Sequence, residues 1–137
     1  MKTFIELKEA LTQNTQADGK TKASEFFSQV RQSATMMHYF HLTTPLYSAH
    51  VASKEFYEGV IPLIDEFIES FSGRYGKLET YTPIKMQPAD GLTIAVSLLQ
   101  WIDSNRQLIT DDSELQNIID EITGLINSTI YKLRDFK

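Results

Sequence analysis

The stretch from Tyr47 to Phe71, YSAHVASKEFYEGVIPLIDEFIESF, decides the architecture. Among its apolar residues are Tyr47, Val51, Phe56, Tyr57, Val60, Ile61, Ile64, Phe67, Ile68 and Phe71. They return every three or four positions rather than alternately, which is the period of an α-helix and not of a strand. So dense an aromatic and aliphatic set predicts burial against a partner as well as against the rest of the chain. Pro62 lies inside this helix and predicts a bend or local opening, because its ring crowds the preceding turn and it has no N–H to donate. Gly73 and Gly76 predict its end.

Working outward, Thr44-Pro45 reads as the start of this helix, with Thr44 accepting an orphan N–H and Pro45 at the first position. An earlier helix is predicted from about Ala23 to His41, with Phe26, Phe27, Val30, Ala34 and Met37 on one broad stripe. Phe4, Leu7 and Leu11 form a short amphipathic opening, and the polar run 14–22, with Gly19 inside it, reads as a loop or hinge. Residues 1–22 are therefore expected to be an N-terminal arm or short helix with a polar hinge, and 23–137 the main domain. Downstream, 73–88 holds two glycines and two prolines and predicts the one long connection. A third helix is expected from Pro88, with Ile94, Leu98, Trp101, Ile102 and Leu108 facing the core. Asp111 and Glu114 resemble a capping pair opening a fourth, which carries Leu115, Ile118, Ile119, Ile122, Leu125, Ile126, Ile130 and Leu133. The fold class is all-α, and four such helices with short and long links predict a four-helix bundle.

The composition narrows the chemistry. The chain has 137 residues, one domain's worth. It has no cysteine, which removes disulfides, thiolate metal sites and Cys nucleophiles together and is consistent with a cytoplasmic, reducing setting. The net charge of −5 argues against a dense basic face for DNA. Lys2, Lys8, Lys20 and Lys22 are interleaved with Glu6, Glu9 and Asp18, so DNA is not expected as a partner. No apolar run reaches the ~20 residues of a membrane span, and the first eleven residues are too charged for a signal peptide. Phosphate-loop, nucleophile-elbow and zinc-helix motifs are all absent from the sequence.

The candidate chemistry lies with three histidines, His38, His41 and His50, which flank the first interhelix link. On the second helix, His50 and Glu69 fall about 60° and 40° to either side of Asp65 at about 100° per residue, so the three share a face with Lys54 and Glu58. Yet His50 and Asp65 are separated by about 22 Å at 1.5 Å rise per residue, too far to ligate one ion in one chain. Two copies packed antiparallel about a two-fold axis bring His50 of one against Asp65 and Glu69 of the other.

The spacing of His38, His50, Asp65 and Glu69 resembles that of the DNA-protection-during-starvation (Dps) proteins, the miniferritins. The terminal Ile130-Tyr131-Lys132-Leu133-Arg134 is similar to that family's closing helix, and Tyr39 stands where a Trp is common. The similarity spans roughly residues 23–137. It is closer still to a group of uncharacterised, mostly phage-encoded Dps-like proteins, in Tyr47–His50, Leu63–Ser70 and Gly73-x-Tyr75-Gly76. The resemblance implies a ferritin-like subunit, two-fold dimers that can extend to a dodecamer, and an iron-oxidising site shared between subunits. Its ligands are then His38 and His50 from one subunit and Asp65 and Glu69 from its mate, with Fe or Zn as the metal.

Two departures qualify that expectation. The carboxylate that the resemblance places four residues after the second histidine is Lys54 here, and a lysine ammonium repels a cation. Residues 73–88 also lack the short helix that the family places at its two-fold. Two readings follow. One is a Dps-like oligomer without a full ferroxidase set, serving as a non-catalytic assembly or binding protein for an unidentified protein or small molecule. In it, Lys54 forms an interface salt bridge with Asp65 or Glu69 of the mate. The other is an iron-binding miniferritin. His41 reads as a cap-type or solvated side chain, Met36 and Met37 as core or interface, and Trp101 as a core anchor.

Overall fold

A computed structural model describes the backbone of residues 3–137 and the side chains of all of these except 8–18. It contains α1 (Phe4–Thr43), α2 (Tyr47–Tyr75), α3 (Gly91–Ile109) and α4 (Ser113–Asp135), with no strand among the described residues. Among these residues no helix is long and apolar enough to cross a membrane.

The first helix runs unbroken from Phe4 to Thr43, through the segment 14–22 where the sequence predicts a loop or hinge. Polar residues such as Asn, Thr and Gln cost only a few tenths of a kcal/mol each in a helix, roughly up to 0.7. Gly19, the one expensive residue there, has a packing reason: a Cβ on it would stand 3.0 Å from the Ile109 carbonyl oxygen. The side chains of Lys8, Glu9, Leu11 and Asp18 lie outside what is described, as does Lys2.

Three helix starts also differ from expectation, each because a nearby group competes for the cap. For α2, the Leu46 N–H donates to Thr44 Oγ1 at 3.3 Å, a local turn that spends the threonine, so the helix opens at Tyr47. For α3, Asp90 accepts from the Thr93 N–H at 2.9 Å and sets the start at Gly91 rather than Pro88. For α4, Asp112 rather than Asp111 is the cap residue, and its side chain makes no cap bond. That carboxylate is taken instead by Tyr75, Thr110 and Arg74. The end of α2 falls at Gly76, whose φ of +97° is left-handed backbone that a side chain disfavours. Gly73 stays helical, and α2 continues past Pro62, which is exposed.

Neighbouring side chains fix the topology. Going along α1, Lys20 lies beside Gly76, Phe26 against Phe67 and His41 on His50, so α1 and α2 are antiparallel. Gly19 by Ile109, Lys22 on Asn105 and Phe40 by Gly91 make α1 antiparallel to α3. Gly59 by Leu125 and Lys132 on Glu55 do the same for α2 and α4. Residues 76–90 therefore run beside α1 from Lys20 to Phe40 to reach the far end. On the way the Thr82 N–H donates to Ser24 Oγ at 2.6 Å, Tyr81 packs on Phe27, and Leu78 is buried.

The core joins all four helices. Phe26 meets Phe67 edge-on at 5.0 Å and stacks on Trp101 at 6.1 Å, giving Trp101 its anchoring place. Phe56, Ile64, Met37, Leu98, Ile102, Leu115, Ile119, Ile122 and Ile126 complete it. Leu108, expected inside, is exposed, and Ile109 is buried in its stead.

Candidate functional site

The three histidines come together where α1 hands over to α2. Pro45 creates the local need. The His41 carbonyl would ordinarily accept the N–H of residue 45, and a proline has none. The His50 ring supplies the missing donor: its Nδ1 is 2.8 Å from His41 O. The exchange is reciprocal, with His41 Nδ1 2.6 Å from His50 O. A carbonyl only accepts, so both rings carry a proton on Nδ1. The rings stack at 3.7 Å between centroids. Ser53 Oγ donates to Ala49 O at 2.7 Å and lies 3.1 Å from His50 O, adding to the same corner.

His41, expected to be a cap-type or solvated side chain, is thus buried and structural. His38 sits one turn earlier, exposed, with its ring 6.0 Å from that of His41 and stacked on Tyr57 at 4.3 Å. Asp65 and Glu69 are exposed on the outer face of α2, about 22 and 28 Å along the helix from His50. Among the described residues no three His, Asp or Glu side chains converge as a metal site requires. Within one chain, then, His38, His50, Asp65 and Glu69 are not brought together, as the spacing along α2 requires. Lys54 Nζ is 3.9 Å from Glu58 Oε1 on the same helix, with both side chains more than half exposed. Such an exposed i,i+4 pair is worth about 0.3–0.5 kcal/mol, little enough to be exchanged for a partner's carboxylate.

A second polar cluster, unforeseen in the sequence, closes the opposite end. Tyr75 OH donates to Asp112 and lies 3.0 Å from Thr110 Oγ1, and Arg74 Nε pairs with Asp112 at 2.5 Å. Hydrogen bonding to Tyr75 and then the Asp112 charge hold the Arg74 guanidinium above its ordinary pKa. Between α3 and α4, Arg106 reaches Gln116 Oε1 at 2.9 Å and Asp120 at 2.5 Å. These residues are far apart in the chain and carry no motif, so only packing reveals them.

Fold and site together define an all-helical protein with a histidine-clasped corner and a charged outer face on its second helix. Residues 41–133 match the model of DUF5856, a family of unknown function, and the chain belongs to that family. The matched region opens on His41 and takes in α2, α3 and nearly all of α4, while most of α1 precedes it. No curated protein and no solved structure matches the chain.

Proposed function

We propose that this protein is a ferritin-like four-helix bundle acting as a non-catalytic assembly module, which pairs with a second copy through the outer face of α2. Support for the ferritin-like assignment comes from connectivity. Two closely linked antiparallel hairpins, α1–α2 and α3–α4, are joined by one crossover as long as the body, the arrangement of ferritin-like bundles.

The observation that carries the assembly reading is the order of charge along α2. His50, Lys54 and Glu58 lie in one half of the outer face and Asp65 and Glu69 in the other, all but His50 exposed, with Lys54 the one lysine among them. Turned antiparallel about a two-fold near Gly59 and Val60, the face becomes its own complement. Lys54 then stands opposite the partner's Asp65, and His50 opposite the partner's Glu69, each contact made twice. The same lysine keeps catalysis out of the proposal, since its cation occupies the position of a bridging carboxylate. The cytoplasm is the proposed setting.

Charge reversal tests the reading by mass in solution. The 15.7 kDa chain is expected to run as a dimer or a multiple of one. Lys54→Glu lowers that mass, and Lys54→Glu combined with Asp65→Lys restores it. Fe(II) with peroxide is expected to give no protein-dependent iron oxidation. One observation favours the opposite reading: the Nδ1 bond leaves His50 Nε2 with its lone pair available to a metal. Iron oxidation that is abolished in Asp65→Ala establishes the miniferritin alternative and overturns the proposal.

A further inference from the structure

Ser33 places a hydroxyl in the interior with neither an oxygen nor a nitrogen to bond. It lies on the inward stripe of α1 and is 1% exposed. Two other buried hydroxyls in this chain turn back on their own helix: Ser53 donates to Ala49 O at 2.7 Å, and Thr129 to Leu125 O at 2.8 Å. Ser33 does not. Its hydrogen-bond contact is with Met86 Sδ, at 4.0 Å. A thioether sulfur is a weak acceptor, so the burial of this hydroxyl is poorly compensated.

The space in front of it is open. A hollow of about 290 Å³ lies between α1, α3 and residues 86–89 of the crossover, with Ser33, Met36, Met86, Pro88, Ile94 and Leu98 in its wall. Gln29 and Ser97 line it too, and neither is hydrogen-bonded to Ser33. Among the described residues its lining holds no charged side chain. The roof is lightly tied: among the described residues, the contact of Met86 with Ser33 is the one hydrogen-bond contact that residues 83–89 make.

These features specify an occupant. A cavity of about 150 Å³ already holds benzene, so this hollow has room for a single ring with a substituent. Apolar walls without a countercharge select a neutral molecule, because burying an unpaired charge is strongly unfavourable. One under-bonded hydroxyl calls for one oxygen on that molecule. Met36 and Met86, flexible and polarisable, can repack around it. We propose that this hollow binds a neutral molecule of single-ring size, apolar except for one hydroxyl or carbonyl oxygen that takes the Ser33 hydroxyl in place of Met86 Sδ. None of these residues lies on α2, so the site is independent of self-pairing through that helix.

Phenol is the probe, compared with toluene, which lacks the oxygen, and with benzoate, which adds a charge. In the full chain with isotope-labelled methionine methyls, phenol is expected to shift the Met36 and Met86 signals saturably, and benzoate is not. Ser33→Ala weakens phenol about fivefold and leaves toluene unchanged, since only phenol loses a hydrogen bond. The same variant keeps the urea midpoint or raises it, which separates ligand binding from a structural role for the hydroxyl. Absence of a saturable phenol shift at both methyls overturns the proposal, as does an equal effect of Ser33→Ala on phenol and toluene. Benzoate binding as tight as that of phenol overturns it too. A lower urea midpoint in Ser33→Ala with phenol affinity unchanged assigns Ser33 to holding the crossover, and the proposal fails.

Discussion

His41 and His50 each donate a ring N–H to the other's backbone carbonyl, at 2.6 and 2.8 Å, with their rings stacked between. The two bonds are not equivalent. The His50 carbonyl lies inside α2, where the N–H of residue 54 is its ordinary helical donor, whereas the His41 carbonyl faces the missing N–H of Pro45.

Removing the His50 donor is therefore expected to cost more hydrogen-bond energy than removing that of His41. His50→Phe keeps a ring for stacking but orphans the His41 carbonyl, a loss of about 1–3 kcal/mol in urea unfolding. His50→Asn, which retains an N–H donor at a comparable position, recovers part of it. Equal stability of the Phe and Asn variants would show that the stack, not the bond, holds the corner.

Two helical glycines are expected to respond to alanine with opposite signs. A Cβ at Gly124 meets nothing within 4 Å, so Gly124→Ala gains helix propensity and stabilises by about 0.5–1 kcal/mol. A Cβ at Gly19 meets the Ile109 carbonyl at 3.0 Å, backbone that cannot swing aside, so Gly19→Ala destabilises. Thermal melts of the two single variants are enough to read the signs. Stabilisation by Gly19→Ala would mean that α1 and α3 do not approach as closely as described.

Asp90 sets the start of α3, and Asp90→Ala is expected to lose about 1 kcal/mol. The substitution leaves Pro88 untouched. If Pro88 were the operative first residue of the helix, Asp90→Ala would leave the denaturation midpoint where it is.

Self-pairing through α2 joins exposed charges, so salt screens it. Dissociation is expected to increase between 0.05 and 0.5 M NaCl, where the screening length falls from above ~10 Å to a few Å. The Lys54→Glu chain, with that pair already broken, should show a flatter response in sedimentation. A wild-type mass independent of salt would place the contact elsewhere.

Phe67→Ala opens the centre of the core, where Phe67 is fully buried against Phe26 and Phe71. A loss of about 3–5 kcal/mol is expected from the missing contacts and the cavity left behind.

Tyr47–Phe71 and the other periodic stretches determined by themselves that the chain is helical and, apart from Tyr47, Val51 and Leu108, which are exposed, which residues face inward, because helical spacing sorts side chains before any helix meets another. Phe26, Val60, Ile64, Leu98 and Ile119 are all buried as that spacing requires. The shared outward face of Lys54, Asp65 and Glu69 was legible for the same reason. Helix ends were less so: Thr44, Pro88 and Asp111 all carry start signals, but a cap is won by whichever donor or carboxylate is left uncommitted after packing. The tertiary structure alone decided that Asp112 serves Arg74 and Tyr75, that Gly19 marks a close approach and not a hinge, and that His41 is buried. Each of these depends on a group many residues away along the chain or across a turn. Local spacing carries no information about which backbone carbonyl will lack a donor, and at this corner that lack, left by Pro45, is what two histidines answer.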